Sequence, residues 1–267
     1  MYVLGLSASA HDPAAALLNE KGIVAAIEEG KLVRSRSVSG IPREAIRFCL
    51  EQAEIGWSDL RAVSIAGRPV RAWFRQAMFR ARCTPLAPVS SGYYQSKALG
   101  ELGRELNNIR ILELMNKKSS GHVIRLDHQL CHAASAFYAS PYEKSLILSL
   151  DEYGDGRSGL VAAGEGKHIR PKQWIPFPHS IAWIYSQVTE LLGFQPHQEE
   201  HKTQWLSLVG DPELKSLFLE MLRRSSSSYP HVDLRFFNRG KAGRIAFSKM
   251  FYRRLGIEPG PDPRLPE

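Results

Sequence analysis

The chain has 267 residues, 43% apolar and 23% charged, with a formal net charge of +8. That length and apolar share supply one large domain or two small ones and exclude a disordered chain. Apolar stretches are broken by charge within a few residues and no charged N-terminus precedes an apolar segment, so neither a membrane span nor a signal peptide is expected, and a cytoplasmic location is.

In chain order, Tyr2 to Ser7 reads as a strand, Ala14 to Leu18 as a second after a polar loop closed by Pro13, and Ile23 to Glu28 as a third after the turn Asn19-Glu20-Lys21-Gly22. This predicts a three-stranded antiparallel meander. Pro42 to Ala53 reads as a helix with proline at its start and Ile46, Cys49 and Leu50 on one face. A strand near Ala62 to Ala66 follows. Arg68, Arg71, Arg75, Arg80 and Arg82 then interleave with Trp73, Phe74, Met78 and Phe79 as a basic amphipathic helix, fitted either to an anionic surface or to a core on one side and water on the other. No RNA-binding signature accompanies it, and a nucleic-acid partner is not expected. A further helix is predicted near Gln95 to Asn116.

The segment His122 to Leu126 reads as a strand, and Asp127 as the cap of a helix that opens with His128. His128 and His132 then stand one turn apart on one helix face, a spacing suited to a metal clamp, near the positive end of the helix dipole, which favours neutral imidazoles. With nine histidines in the chain, a chance pair is the competing reading. Cys131 points about 100° away from His132 and is expected to be a small buried residue. Cys49, Cys83 and Cys131 make an odd number with no paired spacing, which fits reduced thiols.

The opening order then repeats. Ser145 to Leu150, Ser158 to Ala163 and His168 to Trp174 form a second run of three strands, followed by helices at Ser180 to Leu192 and Lys202 to Leu208. In each copy a polar loop joins the first two strands, Ser7 to Asp12 in one and Asp151 to Gly156 in the other. Two facing loops of this kind predict an anion-binding cleft.

The order Leu4-Gly5-Leu6, His11-Asp12, Ala14 to Leu17, Ala25 to Glu29, Ile41 to Ile46, His128 and His132 to Phe137, then Asp151 and later Glu200-His201-Lys202, resembles the N-terminal part of antibiotic and nodulation-factor O-carbamoyltransferases. The resemblance implies an α/β fold of the actin, sugar kinase and heat-shock ATPase type: a duplicated, ribonuclease H-like mixed sheet with flanking helices, related to the tRNA threonylcarbamoyl-modifying metalloproteins. It implies two halves, 1–143 and 144–255, the second incomplete, and a Pro-rich tail at 256–267.

The resemblance further implies that His128, His132 and Asp151 hold a divalent metal, iron(II) or zinc, and that His11 with Asp12 serves the acceptor hydroxyl as base. Arg36, Gly154, Gly156 and Lys202 would contact ATP or carbamoyl-adenylate. Carbamoyl phosphate and a hydroxyl acceptor would be the substrates, and a C-terminal YrdC-like domain or partner chain would make the adenylate.

Two departures stand out. Arg34-Ser35-Arg36-Ser37 replaces the usual Arg-Xaa-Lys-His, and Glu152 with Tyr153 replaces the usual glycine, where a side chain is expected to crowd and repel phosphate. An incomplete second half also predicts an uncovered apolar edge and face. The alternatives are a tRNA-modification-type nucleic-acid module and a non-catalytic remnant or interaction subunit of a split enzyme.

Overall fold

The computed structural model describes residues 1–8, 12–35, 38–68, 74, 122–223, 229–239 and 245–257. His11, Arg36, most of the basic helix predicted from Arg68 onward, the helix predicted near Gln95 to Asn116 and most of the Pro-rich tail lie outside these residues.

The first sheet is built from β1 (Tyr2–Ser7), β2 (Ala14–Asn19), β3 (Gly22–Glu28), β4 (Leu60–Ala66) and β5 (His122–Leu126), in the order β3-β2-β1-β4-β5. β2 is antiparallel to β1 and β3, while β4 is parallel to β1 and to β5. This is the mixed, ribonuclease H-like arrangement expected of the first half. The predicted turn between β2 and β3 forms, with the Lys21 N–H donating to Asn19 Oδ1 at 2.8 Å and Gly22 at φ 131°.

Alternation puts Leu4 and Leu6 of β1 and Ala15 and Leu17 of β2 in a core closed by Ala45, Ile46, Cys49 and Leu50 of α2 (Arg43–Gln52), which follows the short α1 (Glu29–Val33). Pro42 stands at the N-cap of α2, where its missing N–H costs nothing, but it has no side chain to cap with. The buried Glu29 does that instead, accepting from the Glu44 and Ala45 N–H groups at 3.1 and 2.8 Å.

The second sheet is the meander β6 (Lys144–Gly154), β7 (Arg157–Glu165) and β8 (His168–Pro176), antiparallel throughout, preceded by α3 (His128–Tyr138). It repeats the first three strands, and among the described residues no counterparts of β4 and β5 join it. One expectation is corrected here. The polar loop predicted over Asp151 to Gly156 is instead strand as far as Gly154, closed by the two-residue turn Asp155-Gly156 with φ 54° and 74°, the backbone of a tight hairpin.

After the sheet come α4 (Ile181–Leu191), α5 (Glu200–Leu206), α6 (Lys215–Met221), the short pairs β9 (Leu222–Arg223) with β10 (His231–Val232) and β11 (Phe237–Arg239) with β12 (Ile245–Phe247), and α7 (Lys249–Leu255). They enclose a second, largely aromatic core that includes Trp183, Met221, Phe236, Phe247, Phe251 and Tyr252. Among the described residues, the chain divides into two compact units, with a break between Cys131 and His132 inside α3. Among the described residues, no helix is long and apolar enough to cross a membrane.

Candidate metal centre

The histidine helix begins where the sequence predicts. Asp127 is buried just before it, and its carbonyl accepts from the Cys131 N–H at 3.0 Å, closing the first turn. Gln129, Ala133 and Phe137, spaced four apart, form the buried stripe. His128 and His132 each precede a buried residue by one position, so they flank that stripe: His128 is half-buried and His132 is 52% exposed. Cys131, expected to be buried, is only half-buried because it lies off the stripe.

Two contacts fix the C-terminal half of α3 on the second sheet. Phe137 lies flat against Gly164 of β7, where an added Cβ would meet ring carbons at 2.6–2.7 Å. The Tyr138 hydroxyl donates to the Lys167 carbonyl at 2.9 Å, beside the β7–β8 turn. The same sheet carries Asp151, near the end of β6 where pairing with β7 becomes irregular between Leu150 and Gly154.

Asp151 is held at both ends of the residue. Its Oδ1 accepts from the Glu152 N–H at 2.7 Å. Its carbonyl accepts from the Ser180 hydroxyl at 2.7 Å, and the Ser180 oxygen in turn accepts from the Trp183 N–H at 2.9 Å, capping α4. With Oδ1 engaged, Oδ2 faces His132 Nε2 at 3.7 Å. His128, His132 and Asp151 each offer a donor atom, all within 4.8 Å of one another.

Two imidazoles and a carboxylate suit a borderline divalent ion such as iron(II) or zinc. Two donors 3.7 Å apart share an ion at ~2.1 Å from each with an opening angle of roughly 120°. Two donors of one ion at that bond length stand no more than ~4.2 Å apart, so the 4.8 Å that bounds the group is slightly wider than a bound ion would leave it. In donor type, two imidazoles and a carboxylate, the group is one that a divalent ion could draw together.

The remaining expected residues are placed as follows. Asp12 is exposed with φ 47°, the backbone of a tight turn. Gly154 is buried at the end of β6, and Gly156 occupies the hairpin turn. The Lys202 ammonium pairs with Glu199 and lies over the Phe194 ring, 5.4 Å from its centroid. Glu152 Oε2 lies 3.3 Å from His197 Nδ1, a histidine held at φ 67° between α4 and α5. Sequence reasoning missed Ser180 and Gly164. A serine before the apolar run opening at Ile181 is a cap signal, whereas nothing local marks Gly164, whose role depends on a ring from another element.

The family described as Carbamoyltransferase N-terminus matches residues 2–255. Among curated proteins, an uncharacterised protein of Synechocystis is 28% identical over 235 residues, covering 83% of this chain and 37% of its own length. The nodulation protein NolNO of Sinorhizobium fredii is 30% identical over 216 residues, covering 79% and 30%. The chain thus spans less than two fifths of either relative. Among solved structures, YeaZ from Pseudomonas aeruginosa gives a TM-score of 0.34 at 13% identity, covering 66% of this chain and 67% of that one. Component A of (R)-2-hydroxyglutaryl-CoA dehydratase from Acidaminococcus fermentans gives 0.38 at 14% identity, covering 86% and 62%.

Proposed function

The chain belongs to the carbamoyltransferase N-terminal family, and from that premise we propose that it is the metal-bearing part of an O-carbamoyltransferase, passing a carbamoyl group from carbamoyl-adenylate to a hydroxyl of a small molecule or sugar, with AMP as the leaving group. The observation that carries the reading is the convergence of His128, His132 and Asp151 within 4.8 Å. On this reading carbamoyl-adenylate is made from ATP and carbamoyl phosphate by a further domain or partner chain.

Carbamoyl transfer attacks a weakly electrophilic carbonyl. The metal ion, when bound, supplies Lewis-acid stabilisation of the negative charge that develops on the carbamoyl or phosphate oxygens. The protein's own part is positional. Ser180 and the Glu152 N–H hold Asp151, while Phe137 on Gly164 holds the helix bearing His132. The reading gives His11 the acceptor's hydroxyl proton as general base, with Asp12 beside it, and gives Arg36, Gly154, Gly156 and Lys202 the adenylate.

The test mixes the purified chain with the part of the NolNO relative outside its matched region, ATP, radiolabelled carbamoyl phosphate and a sugar acceptor. Label should appear as an acid-stable carbamate on the acceptor, and an H128A/H132A chain should abolish it. No transfer by the wild-type mixture, with both polypeptides folded and the adenylate formed, would overturn the proposal.

A further inference from the structure

Glu152 stands beside the candidate ligand Asp151, and its side chain serves no step of the reading above. Its N–H donates to Asp151 Oδ1 at 2.7 Å. Its carboxylate turns Oε2 away from solvent and towards His197 Nδ1, 3.3 Å away. A carboxylate oxygen closed off from water is costly without a polar neighbour, and here the neighbour comes from a separate stretch of chain.

His197 is held in turn. Its φ of 67° lies in the left-handed region, which an L residue adopts at a cost and keeps only where other contacts enforce it. Glu200, in the first turn of α5, accepts through Oε1 from the His197 N–H and from the Ser186 hydroxyl of α4, the latter at 3.2 Å. A hydroxyl pair, Thr189 with Thr203 at 2.9 Å, buried between the same two helices, fixes α4 on α5. The capping residue of α4 is Ser180, whose hydroxyl donates to the Asp151 carbonyl at 2.7 Å. The contacts therefore close a circuit. It runs from Asp151 through Ser180 into α4, from Ser186 through Glu200 to His197, and back through Glu152 to Asp151.

We propose that Glu152 and His197 are a positioning pair for the metal centre: their side-chain contact ties the α4–α5 connection to the strand end that carries Asp151 and so holds that carboxylate in its metal-binding setting. Ser180 anchors Asp151 on one side, and the Glu152–His197 contact anchors it on the other. Neither member of the pair is a ligand. Where the carbamoyltransferase resemblance leads one to expect a glycine, this chain carries Glu152, and a glycine has no side chain to tether. The two positions should therefore depend on each other, His197 mattering to the metal only while Glu152 is present. The inference rests on the metal-centre reading of the proposed function and adds to it the residues that set metal affinity from outside the ligand group.

The experiment titrates cobalt(II) into the untagged, metal-free chain and reads the visible absorption of the bound ion, with the fold of every variant verified by circular dichroism. E152A and H197G should each bind cobalt roughly tenfold more weakly than wild type. Glycine at 197 accepts the left-handed backbone, so a loss there reports the missing side chain and not strain. The E152A/H197G double variant should be no weaker than either single one, as two halves of one contact require. H197N should regain most of the lost affinity, because asparagine also tolerates that backbone and carries an amide donor close to the place of Nδ1. Wild-type affinity in E152A or H197G, additive losses in the double variant, or H197N as weak as H197G would each overturn the proposal while leaving the metal centre standing. A folded wild-type chain that takes up no cobalt would overturn the metal-centre reading, and the proposal with it.

Discussion

The two meanders share one strand pattern and meet different surroundings. In the first, β1 is central and its leucines, Leu4 and Leu6, are buried beneath α2 and its neighbours. In the second, β6 pairs among the described residues with β7 alone, with Leu146, Leu148 and Leu150 exposed and Ile147 and Ser149 turned inward. Their first hairpins differ as well: six residues, Ala8 to Pro13, separate β1 from β2, while Asp155-Gly156 alone separates β6 from β7. A repeated pattern of apolar residues fixes strands and order. It does not fix which strand is interior, because that depends on what packs beside it.

Truncating a leucine in each opening strand separates the two meanders. Leu4→Ala should cost about 2–5 kcal/mol of stability, because Leu4 is fully buried. Leu148→Ala should lie within about 0.5 kcal/mol of wild type. Urea midpoints read both, and equal losses would show that the face of β6 is already covered.

A second difference is electrostatic. In the second unit, burial and then the charge of neighbouring His231 hold the His179 pKa down at about 4, and the Val232 N–H donates to its Nδ1 at 3.2 Å. The folded state therefore binds its proton later than the unfolded chain, whose histidine titrates near the ordinary 6.5. This contribution is present above about pH 6.5 and is lost as pH falls towards 4, to a total on the order of 3 kcal/mol. Thermal melts across that range should show the loss, and His179→Gln should flatten it.

Two strand glycines differ in the same way. Gly164→Ala drives a Cβ into the Phe137 ring and should cost about 1–3 kcal/mol while loosening metal binding, since Phe137 seats the histidine helix. Gly5→Ala meets only Ser64 Oγ at 3.5 Å and the Ala16 carbonyl at 3.6 Å, ordinary contacts, and should cost less in calorimetry. Ser180→Ala should cost about 1 kcal/mol of stability from the lost cap of α4. Its effect on metal affinity should be larger, roughly tenfold to a hundredfold by titration, because the same hydroxyl holds Asp151.

Much of the architecture was legible because period-2 strands, the Asn19 to Gly22 turn and the proline before α2 are local signals. The histidine pair was legible for the same reason, being a spacing on one helix. Asp151 came from family resemblance, since a carboxylate near a strand end has no local mark. What the sequence did not show depends on distant partners: Glu29 capping α2 from 15 residues away, Gly164 receiving Phe137, and Glu152 facing His197. The hairpin at Asp155-Gly156 carried an aspartate-glycine signal, yet the polar run around it read as a longer loop.

On the proposed function, His128, His132 and Asp151 hold a metal ion. Metal content of the untagged chain, purified without chelator and measured by mass spectrometry beside an H128A/H132A variant of verified fold, tests it most directly. Near-stoichiometric iron or zinc in the wild type and none in the variant is the result predicted. Equal metal in both, or none in a folded wild-type chain supplied with iron(II) and zinc, would contradict it.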